Sequence, residues 1–172
     1  MALALLAPLC IPCLDRKGKV IENGGAVIPS LQSVALISSY VPRMCGIATF
    51  SKDLREGLVA VRGRLDTPVL CMDDGTAPFA YPSEVRFRIR DSNPRDYVLA
   101  ADFLNINQID AAILQHEFGI FGGESGVYVL ALARRLRMPL ITALHTVVAA
   151  PTPHQRKIIL EELIDQLLQD GP

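Results

Sequence analysis

The sequence predicts an α/β protein built on a mostly parallel sheet. Three observations carry that prediction. Short, continuously apolar runs occur at residues 34–38, 68–72, 111–114 and 139–144, as expected of parallel strands buried on both faces. Between them lie segments whose apolar residues recur every three or four positions, the spacing of one helix face. The runs then stop at polar or titratable residues, Ser38, Gln115 and His145. With 172 residues, 50% of them hydrophobic and 20% charged, the chain can bury a core and reads as globular.

Residues 1–32 show no sustained period. They are expected to form a poorly structured leader, with residues 33–172 as the folded domain. The first strand is 34–38. The loop through Pro42, Arg43 and Gly46 opens a helix whose Ile47, Phe50, Leu54, Leu58 and Val61 form the apolar stripe, while Lys52, Asp53, Arg55 and Glu56 face out. Residues 68–72 make the second strand, and Asp73-Asp74-Gly75 reads as a solvated turn. Residues 85–89 alternate, which fits a more exposed strand. Asn93-Pro94 then starts a helix with Tyr97, Ala101 and Leu104 inward. Strand 111–115 follows, then a glycine-rich turn. A buried helix is expected over 125–137, with Val127, Val129, Leu130, Leu132 and Leu136. Strand 139–144 ends at His145-Thr146. Thr152-Pro153-His154-Gln155 fits a capping box for a last helix carried by Ile159, Leu163 and Leu167.

Charge and cysteines exclude several functions. Seventeen basic against 18 acidic residues give a net charge of −1, with no basic stripe for nucleic acid. No stretch reaches the ~20 apolar residues that span a bilayer. Residues 1–14 are apolar but lack the positive start of a signal peptide. Cys10 and Cys13 form a lone Cys-x-x-Cys in irregular sequence. Free thiols in a reducing cytosol are the simpler reading than metal or redox chemistry.

No Gly-x-Gly-x-x-Gly follows the first strand and no Gly-Lys-Ser or Gly-Lys-Thr occurs, against a dinucleotide enzyme or a phosphate-loop nucleotidase. Arg43 with Gly46 at a helix start suits a phosphate or carboxylate, although a glycine there also serves packing or an αL turn. His116 and Glu117 are adjacent, so on extended chain they point to opposite sides and at least one is expected to face the cleft. No second histidine follows at helical spacing, so a zinc-protease reading fails. Gly122 and Gly123 would let backbone approach a ligand beside Glu124. His145, at a strand end, can bond sugar hydroxyls or place a proton, with Thr146 next to it.

Four segments, "VALISSYVPRMCGIATFSKDL", "YPSEVRFRIRDSNPRDYVLAADFLN", "ILQHEFGIFGGESG" and "LITALHTVVAAPTPHQRKIILEEL", resemble family 4 glycosyltransferases of the GT-B architecture. The likeness runs from about Val34 to Leu163. It implies a Rossmann-like open sheet with helices on both faces, one half of a GT-B enzyme. It further implies retaining transfer from a nucleotide-sugar donor to a sugar or lipid-linked acceptor, without metal or other cofactor. Such an enzyme would be cytoplasmic and meet the membrane only through its acceptor. In the resemblance, Gly46 lies near the donor diphosphate and His145 near the transferred ring, as the catalytic position. His116, Glu117, Gly122 and Gly123 line the same cleft. The family's carboxy-terminal donor domain, with its basic clamp and glutamates eight apart, has no counterpart in these 172 residues. The chain is therefore expected to be inactive alone. The competing reading is a non-catalytic α/β module that binds a glycan, nucleotide or protein. A receiver-like domain fits less well, because the strands end in Ser38, Gln115 and His145 rather than in acidic residues.

Overall fold

The computed structural model describes residues 31–75 and 78–169, with side chains described through Glu161. Expectations for residues 1–30, Cys10 and Cys13 included, lie outside the described residues, as does the inward placement of Leu163 and Leu167. The element order is β1 (Val34–Ser38), α1 (Gly46–Val61), β2 (Val69–Asp73), β3 (Val85–Arg90), α2 (Pro94–Ile106) and β4 (Ala111–His116). A 3₁₀ turn (Glu124–Gly126), α3 (Val129–Ala133), β5 (Leu140–Leu144) and α4 (Pro153–Gln169) complete it. The five strands form one open sheet in the order β3-β2-β1-β4-β5, and every pairing is parallel. This is a Rossmann-like α/β sheet, as the sequence predicts.

Strand parity assigns the two faces. Leu36, Val69 and Ile113 meet Leu54 and Leu58 of α1 on one side. Ala35, Ile37, Leu70, Met72, Ala112 and Leu114 meet Tyr97, Ala100 and Leu104 of α2 and Val129 and Leu132 of α3 on the other. Ile158 of α4 joins this second, larger cluster. Asp110 ties the segment just before β1 to the sheet: its carboxylate accepts from the backbone N–H of Gln32 and Ser33 at 2.7 and 2.8 Å. Those bonds, first the one from Gln32, hold its pKa below the usual carboxylate range.

Helix signals hold where capping chemistry is local. Asn93 caps α2 with Pro94 at its first position, and Asp96 is locked by Arg90 at 2.7 Å. Thr152 and Gln155 form the reciprocal capping box, at 3.2 Å and 2.9 Å. Strand β3 shows the expected exposure, with Arg86, Arg88 and Arg90 all outward.

Three helix expectations need correction. On α1, Ala48 and Ser51 are the buried residues, whereas Phe50 is 49% and Val61 84% exposed. Ser51 bonds Ser38 of β1 at 2.6 Å, so small side chains bring the helix down and the inward stripe is rotated from the hydrophobicity pattern. The helix expected over 125–137 is a 3₁₀ turn followed by five α-helical residues. Positive φ at Gly123 (+78°), Ser125 (+55°) and Gly126 (+85°) places a turn where helix was expected. Val127 is correspondingly 38% exposed, although Val129, Leu130, Leu132 and Leu136 are buried as expected. On α4 it is Ile158, not Ile159, that is buried.

Among the described residues no helix is long and apolar enough to cross a membrane.

Candidate functional site

The chain leaves β1 toward β2 through α1 on one face, and reaches β4 from β3 through α2 on the other. Neighbouring strands β1 and β4 therefore flank the point where the strand order reverses, the place where open α/β sheets form a crevice at their carboxyl edge. Three chain segments meet there: the start of α1, the end of β4, and the end of β5.

His145 is the junction. Its backbone N–H donates to His116 O at 3.0 Å, continuing the β4–β5 ladder by one step. Its Nε2 lies 2.7 Å from Oε1 of Gln115. The Phe50 ring of α1 meets the imidazole edge-on, with centroids 5.2 Å apart and planes at 85°. The histidine itself remains exposed. One ring nitrogen is thus held from behind by β4, one edge is fixed by α1, and the group still faces solvent. Thr146 donates to the Glu117 carboxylate, which places Glu117 on this side of β4, half-buried.

His116 goes the other way. It is fully buried, with Phe118 edge-on at 4.8 Å and Phe121 stacked at 5.9 Å. Burial pushes its pKa down to about 4; the Glu117 charge opposes that and His145 adds to it. His116 is therefore a neutral core residue, and of the adjacent pair it is Glu117 that reaches the edge.

The glycines separate into two kinds. Gly46 opens α1 and has ordinary helical-side φ; a Cβ built on it would meet no atom within 4 Å. Neither close packing nor an unusual backbone explains it. Four residues on, hence on the same helix face, stands Phe50. Gly122 is the opposite case: a Cβ there would sit 1.8 Å from the Asp91 carbonyl oxygen. Its N–H donates to Tyr97 Oη at 2.8 Å, and Tyr97 donates on to Asp91 O at 3.1 Å. Gly123 supplies φ +78° and is crowded by Val127 and Tyr128. The close backbone approach expected for a ligand is made instead to the turn between β3 and α2. Glu124 is exposed and pairs with His154 of α4 at 2.9 Å, outside the Gln115–His145–Phe50 group.

Arg43 is engaged with Asp74 at 2.7 Å, both partly shielded, so an anion at this loop would share its guanidinium with a carboxylate. The Asp73 turn is formed as read, with Gly75 N–H donating to Asp73 Oδ1 at 3.0 Å. Cys45 caps α1, its Sγ accepting from Ala48 N–H at 3.3 Å. Among the described residues no three His, Cys, Asp or Glu side chains gather to hold a metal ion.

The structure thus places Glu117, His145 and Thr146 together, with Gly46 one turn of α1 from the Phe50 that meets His145, and engages His116, Gly122, Gly123 and Glu124 in contacts elsewhere. It adds Gln115 and Phe50, which the sequence presents only as a strand-end amide and one member of a helix stripe. A surface recess of about 300 Å³ lies against β3, lined by Phe79, Tyr81 and Arg88 among others. It shares no residue with this edge, and the converging polar groups mark the edge as the better site.

In comparisons of the chain with family models, curated proteins and solved structures, none matched.

Proposed function

We propose that this chain is the acceptor-side half of a retaining glycosyltransferase that uses a nucleotide-sugar donor. The cleft of that enzyme would be floored by the carboxyl edge of β1, β4 and β5. One observation carries the reading. Phe50 ties α1 to His145, so Gly46, one helical turn before Phe50, and His145, two positions 99 residues apart that match the resemblance, lie at the same end of the sheet. The start of α1, where Cys45 takes only the Ala48 N–H, offers its earlier backbone N–H groups to a diphosphate. An exposed, positioned imidazole can bond a sugar hydroxyl while charge develops on the ring and the leaving diphosphate. Glu117 and Thr146 add polar partners for hydroxyls at the same edge.

Among the described residues nothing encloses a donor, and water must be excluded for transfer to win over hydrolysis. The chain alone is therefore expected to be inactive, the missing contribution being a donor-binding domain. The test is to express the longest natural reading frame containing this chain and assay a panel of nucleotide sugars with glycan and lipid-linked acceptors. Acceptor-dependent release of nucleoside diphosphate is the predicted result, with none from the 172-residue chain. Turnover by the short chain, or none by the long product with any donor, contradicts the proposal.

A further inference from the structure

We infer that Gln115 is a positioning residue that selects the Nε2–H tautomer of the His145 imidazole, leaving Nδ1 as the nitrogen offered to a hydroxyl. The inference rests on the reading of His145 as a site residue and specifies how its chemistry is set. Oε1 of Gln115 is 2.7 Å from Nε2. A carbonyl oxygen only accepts, so the ring nitrogen facing it must carry the hydrogen. In the neutral imidazole the lone pair then belongs to Nδ1. An amide makes this choice without drawing a second proton onto the ring, which a carboxylate at the same distance would do. Phe50, edge-on to the imidazole, fixes the remaining orientation.

A second observation argues that Gln115 serves the site rather than the fold. The residue is fully buried, yet among the described residues its amide Nε2 has no hydrogen-bond partner. Buried polar groups are almost always satisfied, and an apolar side chain here would leave nothing unpaired. The strand residues before it, Ala112, Ile113 and Leu114, are apolar. The side chain's one hydrogen bond among the described residues is the one to His145.

The test is ¹⁵N-histidine NMR of the full chain at a pH where the rings are neutral, which is tractable with only three histidines. The wild-type His145 ring should show protonated Nε2 and bare Nδ1. Gln115→Met should keep or raise Tm, because the unpaired amide disappears, while a Nδ1-protonated population appears at His145. Gln115→Glu should restore a hydrogen on Nε2 but also protonate Nδ1 at neutral pH. If methionine unfolds the chain, the glutamate variant alone decides. In the complete enzyme, Gln115→Met should lower kcat about 10-fold with donor KM within about twofold. A Gln115→Met ring spectrum identical to wild type overturns the inference, whatever happens to activity. An altered ring with unaltered sugar transfer sustains the tautomer assignment and overturns the catalytic importance of His145 instead.

Discussion

Gly46 and Gly122 look alike in the sequence, each in a loop-to-helix junction after an apolar strand, and the structure separates them. Around Gly122 the chain is packed so tightly that a single methyl would strike the Asp91 carbonyl, and Tyr97 is bonded to both sides of the contact. Around Gly46 there is room for a side chain and no strain to relieve. A glycine that packing explains is evidence about the fold. A glycine that packing leaves unexplained, one helical turn from an aromatic ring that grips an exposed histidine, is evidence about a site.

The same substitution at both positions sharpens that contrast. Gly122→Ala should have the largest effect, at least about 3 kcal/mol of destabilisation, because backbone must move to admit the methyl. Chemical denaturation of the two proteins measures it directly. A loss below about 1 kcal/mol would mean that the turn between β3 and α2 yields easily and that the glycine loop is free to serve a ligand.

The next largest effect concerns the two histidines that end β4 and β5. His116 is buried and neutral, with its folded pKa about 4 against the ordinary 6.5. The unfolded chain therefore binds the extra proton first, so this residue's contribution is complete above about pH 6.5. It is lost as pH falls from there toward 4, by up to about 3 kcal/mol. Denaturant midpoints across that window should decline, and His116→Leu should flatten that part of the decline. An unchanged slope in the leucine variant would put His116 in contact with solvent.

The smallest predicted stability change has the opposite sign. Gly46→Ala should raise stability by about 0.5 kcal/mol, since the backbone there suits any residue and the unfolded chain loses freedom. In the proposed full-length transferase the same methyl should nonetheless weaken donor binding, read as a raised KM. A destabilising Gly46→Ala would return that glycine to the fold.

The sheet was readable in the sequence because parallel strands leave unbroken apolar runs, and each of those runs is a strand in the structure, although edge strand β5 is buried at Leu140 and leaves Ile141 48% exposed. Capping at Asn93 and Thr152 was readable for a related reason: the bonds span two or three residues. The turn at 123–126 was not, because the buried stripe of residues 129–136 persists through a chain that positive φ values have bent. Phe50 was misassigned to the core because hydrophobicity outweighs the Ser38–Ser51 contact that sets the rotation of α1. Gln115 could not be recognised at all, since its partner is 30 residues away and on another strand. Adjacent His116 and Glu117 were correctly sent to opposite sides, but which one reaches the edge depends on Phe118 and Phe121 closing over the histidine.

The measurement closest to the central claim is steady-state transfer by the proposed full-length transferase carrying His145→Ala, with Tm measured on the same preparation. His145 is exposed, and its ring contributes one hydrogen bond and one aromatic contact. Removing it should leave Tm nearly unchanged while kcat falls at least ~10-fold. Undiminished turnover in a folded His145→Ala enzyme would contradict the claim that this strand end does chemistry.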